Sequence, residues 1–322
     1  MRYIRHTIGA LCMLAGTVTA ASAQQTDTGI LPFLNMPSDA RSAGMADAGT
    51  LLPDNPAAIY ENAAAALTGT ARGGIGIFAG PWRSGFSTDD VLFGAGGYYA
   101  PDSKNLVLAG FRRISGPETT MTDDLGFPVG SMRSQEWSAE AGYGRLFAGR
   151  WAVAVTAHYV RSDSGFDDAV GGVMFGLHGA YKGRFRNPDK GLWSAGLSLM
   201  NCGPSMRIGG KSYPLPLRLR AGASATRIFS RNHTLAGGLE IDCLMQSSIF
   251  NASIGAEYTF LRHGVIRAGY RMSTAPDGSG SHASAGCGFI AGPLRCDVAY
   301  RFGGDRSSPL DNSWQLSAGV VF

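Results

Sequence analysis

Charge is scarce in this chain: Asp, Glu, Lys and Arg make up 16 % of its 322 residues, against roughly 25 % for a soluble domain. No excess of one sign offsets the shortage. The formal charge is +4, and it is +2 once Arg2 and Arg5 leave with a leader peptide, which gives a nucleic-acid partner no basis. Long apolar runs are missing as well. After residue 23 nothing approaches the ~20 unbroken apolar residues of a membrane-spanning helix, so a helical anchor is excluded. Glycine (46) and aromatic residues (10 %) are plentiful. Few charges with many glycines and aromatics suit a barrel that is wet inside and greasy outside.

Residues 1–23 read as a secretory signal peptide. Arg2 and Arg5 form its basic start, 8–18 is largely apolar, and Ala21, Ser22 and Ala23 permit cleavage before Gln24. Cys12 lies too early for a lipoprotein junction. The mature chain of about 300 residues suffices for one large β-domain or two ordinary ones.

The last eleven residues set the pattern for the rest. Trp314, Leu316, Ala318, Val320 and Phe322 alternate with Gln315, Ser317 and Gly319, and Val321 breaks the rule. A period of two marks a strand with different surroundings on its two sides. A terminal aromatic in such a strand resembles the C-terminal signal of bacterial outer-membrane barrels. From residue 72 onward the chain divides into fourteen such segments: 72–79, 91–100, 104–114, 134–147, 150–161, 171–182, 192–201, 217–229, 232–244, 249–261, 264–272, 281–290, 293–302 and 312–322. An even number suits a single-chain barrel with both ends in the periplasm. Connections alternate between short turns and longer loops, as periplasmic and extracellular ends require. A soluble β-sandwich is the rival architecture, and it leaves the many apolar faces and few charges unexplained.

The faces are consistent along the strands. Phe250, Ala252, Ile254, Ala256, Tyr258 and Phe260 alternate with Asn251, Ser253, Gly255, Glu257 and Thr259, and Trp137 to Tyr143 behave alike. Trp137, Trp151, Tyr159, Trp193, Phe260 and Trp314, near strand ends, fit interfacial girdles. Charges on the inward faces have mixed sign: Glu136, Glu140, Arg218, Arg220, Glu240, Asp242, Glu257, Arg267, Arg271, Arg295, Asp297 and Arg301. Mutual ion pairing is the expectation, because a lining of one sign is what an ion-selective pore would need. A turn at Ala291 and Gly292 would set Cys287 opposite Cys296. The two then either bridge across the strands or remain free thiols facing lipid.

Catalytic patterns are missing. His158 and His178 fall on neighbouring strands without a carboxylate or cysteine at metal-ligand spacing. Glu136 and Glu140 stand roughly 13 Å apart at strand rise, too far for an acid–base pair on one bond. Gly210, Lys211 and Ser212 imitate the end of a phosphate loop, but Ser205 occupies the place of its first glycine. No Gly-x-Ser-x-Gly elbow occurs. Neither an enzyme nor a cofactor or metal site is expected.

Residues 24–69 differ from the rest. Asn55 as cap, Pro56 as first residue and Gly69 as stop predict a short helix through the alanine run, one that must dock to persist. The same region carries a family likeness. Phe33 and Leu34, followed by Pro37-Ser38-Asp39-Ala40-Arg41-Ser42-Ala43-Gly44-Met45-Ala46-Asp47-Ala48-Gly49, resemble the opening of the PorV/PorQ family with its DAR-x-x-GMG-type segment. Residues 53–64 are similar to that family's next motif, with Asn62 at its Asn and Ala63 in place of its Pro. Pro214-Leu215-Pro216-Leu217-Arg218-Leu219-Arg220-Ala221-Gly222 resembles its LPL-x-x-R-x-G strand.

The resemblance implies an all-β fold: a FadL-like transmembrane antiparallel β-barrel of about 14 strands in the outer membrane, with the N-terminal helical segment as a plug. It divides the chain into 1–23 signal peptide, 24–70 plug and 71–322 barrel. It also implies a component of the type IX secretion system of Bacteroidota that collects exported cargo by its C-terminal domain and delivers it for surface attachment. The partners implied are other secretion components, cargo proteins and outer-membrane lipid. Asp39 and Arg41 are expected to join the ion network of Glu136, Glu140, Arg218, Arg220, Glu240, Asp242, Arg267 and Arg271 and to pin the plug. Loop 115–133, with Leu125, Phe127, Pro128 and Val129, either binds a partner or packs back over the barrel mouth. Loop 202–216, with Met206 and Tyr213, is the second candidate. The alternative function is a FadL-type carrier of hydrophobic small molecules.

Overall fold

The two-residue period of the sequence becomes a closed wall of fourteen antiparallel strands. The structure is a computed structural model describing residues 31–322 except 85–86, 117, 124, 126, 164–167, 188–189, 209–210, 276–279 and 304–311. The expected leader peptide lies outside the described residues. In chain order the strands are β1 (Gly73–Ser84), β2 (Ser87–Tyr99), β3 (Asn105–Ser115), β4 (Thr119–Thr122), β5 (Pro128–Met132), β6 (Gln135–Phe147), β7 (Trp151–Asp163), β8 (Val170–Arg184) and β9 (Gly191–Cys202). There follow β10 (Met206–Ile208), β11 (Lys211–Tyr213), β12 (Arg218–Ser230), β13 (His233–Leu244), β14 (Ile249–Phe260), β15 (Gly264–Ser273), β16 (His282–Ala291), β17 (Leu294–Gly303) and β18 (Trp314–Val321).

Every strand of the wall corresponds to one of the fourteen sequence segments. The pairs β4–β5 and β10–β11 are separate hairpins inside two of the long connections. The first hairpin departs most from expectation: β1 and β2 run on to Ser84 and Ser87 where a loop over 80–90 was expected. Closure is made by β1 on β18, from Gly74 opposite Val321 to Ala79 opposite Leu316. The N–H groups of Arg72 and Gly73 donate to the Phe322 carbonyl (2.7 and 2.9 Å), and Phe322 N–H donates to the Gly73 carbonyl (2.8 Å).

Alternation holds along whole strands. In β7, side chains from Trp151 to Arg161 are exposed and buried by turns. The exposed set is apolar: Ile241 and Met272 are both 62 % exposed and Leu239 59 %. Such a continuous apolar belt is stable only against lipid. Among the described residues no helix is long and apolar enough to cross a membrane.

The hairpin joining β16 to β17 corrects the cysteine expectation. Ala291 pairs with Leu294, so the turn is Gly292 and Pro293, with Gly292 at φ +59°. Cys287 therefore faces Val298 and Cys296 faces Phe289, and the four cysteines among the described residues are free. Shifting a turn by one residue moves every opposed pair, which separates the two thiols.

Residues 31–68 run inside the cylinder. They form a 3-10 turn (Pro32–Asn35), the short helix α1 (Ala40–Gly44) and two further 3-10 turns (Pro56–Tyr60 and Ala63–Thr68). The single helix expected after Asn55 is thus divided. Asn55 caps as anticipated, accepting from Ala57 N–H (3.0 Å), but Asn62 caps again, accepting from Ala64 N–H (3.1 Å). Between them Glu61 leaves helical geometry (φ −126°, ψ −91°). A second cap offers the backbone an alternative to continuing the helix.

Candidate functional site

The lumen has two unlike halves, and the plug presents a different surface to each. Toward the wall from β2 to β8 the contact is apolar. Leu31, Phe33, Leu34, Ile59, Tyr60 and Leu67 join Leu92, Leu106, Leu108, Val160 and Met174 in one buried cluster. Met206 and Leu215 from the connection between β9 and β12 complete it. Met206 is therefore a packing residue, and its loop, the second candidate for a partner-binding surface, folds back on the barrel at that point.

Toward the wall from β12 to β17 the contact is ionic. Arg41 of α1 donates through Nε and a terminal nitrogen to both oxygens of Glu257 (3.0 and 2.9 Å) and through its other nitrogen to the Pro53 carbonyl (3.0 Å). Glu257 also receives Arg267 (2.7 Å) and Arg295 (2.8 Å), and both arginines reach Asp297 (2.7 and 2.8 Å). Asp242 receives Arg218 (3.1 Å) and Arg271 (2.7 Å), and Arg271 continues to Asp47 of the plug (3.1 Å). Arg220 donates to Glu240 (2.7 Å), which also accepts the Thr50 hydroxyl. These groups are nearly all buried, where an unpaired charge is costly. Mixed sign across the lumen is thereby explained: most of these charges are matched, and Arg301, buried near Asp47, is the exception with no ion pair among the described residues.

Eight of the ten network residues expected from the sequence lie in such pairs. Glu140 does so with Arg112 (3.2 Å) on the other half-wall. Asp39 takes a different role: it caps α1 at Ser42 N–H (2.6 Å) and accepts from the Asn55 side chain (2.6 Å). It ties two pieces of the plug together and, among the described residues, makes no ion pair with the wall. Glu136 accepts from Ser162 (3.0 Å) near the outer ends of β6 and β7. Asp47, Thr50 and Arg112 were not anticipated. Arg112 shares the inward parity of Leu108 and Gly110 on β3, so counting by twos would have found it; its guanidinium lies 4.3 Å from the Tyr60 ring centre. Burial alone would raise the Asp47 carboxyl, but Arg271 and Arg301 hold it below the ordinary carboxylate range. Burial, reinforced by nearby Asp39, pushes the Glu61 carboxyl well above that range.

Glycine gives the plug its seat. Gly238, Gly255 and Gly269 are directly paired across β13, β14 and β15, all facing inward. A side chain at Gly238 would strike the Ala48 carbonyl, and one at Gly255 or Gly269 would strike the Met45 backbone. A second row, Gly319, Gly76, Gly96 and Gly110, crosses β18, β1, β2 and β3 beneath Pro56 and Tyr60. Wall and plug backbones meet there because neither row carries a Cβ.

At the outer end the β4–β5 hairpin projects from the barrel. Leu125 is 81 % exposed, Phe127 65 % and Val129 63 %, with Pro128 exposed beside them. Among the described residues no group of His, Cys, Asp or Glu could hold a metal ion. His158 and His178 are buried and share Thr156 as a hydrogen-bond partner (2.8 and 3.2 Å). Gly210 of the phosphate-loop imitation lies outside the described residues.

Among curated proteins, none is similar enough in sequence to register as a relative. Solved structures share the fold at low identity. The toluene transporter TodX of P. putida aligns with a TM-score of 0.56 at 13 % identity, over 88 % of this chain and 98 % of that one. The monoaromatic hydrocarbon channel CymD aligns at 0.54 and 11 %, over 88 % and 97 %. A FadL homologue of Pseudomonas aeruginosa aligns at 0.53 and 12 %, over 88 % and 98 %. The family model for type IX secretion system protein PorV matches residues 19–249, a span holding the whole plug and the strands through β13. On that match the chain belongs to the PorV family of type IX secretion proteins, and its barrel stands in the outer membrane.

Proposed function

We propose that the protein is a non-enzymatic receptor of type IX secretion that binds the C-terminal domains of exported cargo at its outer loops and passes them on for surface attachment. The single observation that carries this reading is the combination of an occupied lumen with an exposed apolar loop. A carrier of hydrophobic molecules needs an apolar space inside the wall. Here the cavity between plug and β1, β17 and β18 sets Asp39, Arg41, Asp54, Arg295 and Asp297 among apolar residues such as Pro56, Phe78 and Val321, so it offers no wholly apolar space. The apolar surface offered to solvent lies outside instead, at Leu125, Phe127, Pro128 and Val129. A hairpin tip of that kind meets a folded partner by burying its aromatic anchor. Pull-down of the tagged protein from outer membranes tests the reading. Proteins bearing type IX C-terminal domains co-purify with the native chain and are lost with Phe127→Asp; equal recovery with both refutes it.

A further inference from the structure

The two rims of the barrel differ in charge, and cargo reception has no use for the difference. At the periplasmic end, where the chain enters and leaves the wall and the connections are short, exposed bases recur around the circumference. Arg72 precedes β1, Lys104 sits between β2 and β3, and Arg150 between β6 and β7. Arg186 follows β8, Arg231 follows β12 and Arg262 follows β14. Only the turn at Gly292 and Pro293 carries no charge. Among the described residues Asp102 is the one exposed acidic side chain at this rim, and its oxygens are taken by Lys104 N–H (2.7 Å) and by Asn105 N–H and side chain (2.8 and 2.7 Å). Among the described residues none of the six bases has a carboxylate in ion-pair range. The outer end carries both signs, with Glu118, Asp123 and Asp168 beside Arg133 and Lys211.

The bases stand at the depth of an aromatic belt. Trp151, Tyr181 and Trp193 form a row across β7, β8 and β9 with ring centres 4.8 and 5.3 Å apart. The guanidinium groups of Arg145 and Arg227, near the same ends, lie 5.8 and 6.0 Å from the ring centres of Phe147 and Phe229. Aromatic rings mark the headgroup level of a bilayer, and cations held just beyond them meet lipid phosphate. A protein partner would select one patch of the rim. Bases spread over most of the circumference match something that surrounds the barrel.

We infer that the periplasmic rim is a ring of phosphate sites for the anionic phospholipids of the periplasmic leaflet. The protein thereby gathers a negatively charged lipid annulus on that side. The test uses the full mature chain in nanodiscs of phosphatidylcholine mixed with phosphatidylglycerol, with retained lipids read by native mass spectrometry. The ratio of phosphatidylglycerol to phosphatidylcholine among the retained lipids rises at least about fivefold over the bulk ratio, the factor one base near an anionic surface supplies. The combined variant Arg150→Gln, Arg186→Gln, Arg231→Gln and Arg262→Gln, which keeps Arg72 and Lys104, draws the retained lipids toward bulk composition, while Arg133→Gln with Lys211→Gln on the outer side leaves the enrichment intact. Heat-dependent gel mobility verifies that both variants hold a closed barrel. Adding inorganic phosphate separates lipid from free ion: a soluble-phosphate site would lose its lipid preference at millimolar phosphate, and that result overturns the inference. So does bulk composition on the native protein, or equal enrichment on the rim variant.

Discussion

Replacing Arg41 with Ala tests whether the ionic half-wall holds the plug. Arg41 makes two charge-assisted hydrogen bonds to Glu257 and one to the Pro53 carbonyl. Removing one member of a buried pair costs about 3–5 kcal/mol. Glu257 keeps Arg267 and Arg295, so its charge is not abandoned, and the lower end, about 3 kcal/mol, applies. The loss falls on plug docking and spares the wall, whose ladders do not involve Arg41. Three kcal/mol corresponds to about a 150-fold rise in the open population of the segment. Hydrogen exchange reads that population directly. Amides of α1 and the following turn lose about two decades of protection in Arg41→Ala, while amides of β12 to β15 keep theirs. Arg41→Lys retains the charge without the two-pronged geometry and falls between. Protection within threefold of the native protein in Arg41→Ala refutes the account.

The glycine row makes a second prediction: Gly255→Val forces the Met45 turn off its seat and exposes the plug to protease, whereas Gly179→Ala, with open space around it, changes nothing. Glu61 predicts a pH dependence. Its carboxyl is held above the ordinary value of 4.5, so it stays neutral inside, and stability falls as pH rises past 4.5 because the unfolded chain ionises first. Glu61→Gln therefore matches the native protein in thermal unfolding near about pH 4 and exceeds it near about pH 8. Alkylation without reduction adds four labels to the mature, unfolded chain, since Cys202, Cys243, Cys287 and Cys296 are all free; fewer labels refute that assignment.

The wall was legible because lipid and a filled lumen impose opposite demands on alternate residues. Phe250, Ala252 and Ile254 cannot exchange faces with Asn251, Ser253 and Gly255 without burying polar groups in lipid. Turn position was less legible. Ala291 with Gly292 and Gly292 with Pro293 are both credible two-residue turns, and the choice depends on the ladder through neighbouring strands. The ionic side chains were readable as inward residues, yet their pairing was not, because Glu257 and Arg41 are joined only by the path of the plug. Alanine content favoured one helix after Pro56, but the wall on one side and Asn62 on the other divided it. The glycine rows were invisible as rows: Gly238, Gly255 and Gly269 are scattered along the chain and meet only in register.

The closure between the first and last strands has a consequence for assembly. Phe322 is bonded to Arg72 and Gly73, the residues at which the interior segment ends and the cylinder begins. The interior segment thus gains its full shelter only when β18 is in place against β1. A chain lacking β18 would leave that interior segment open along one side of an unsealed sheet, so the last strand of the wall is a condition for burying residues that stand more than two hundred positions before it.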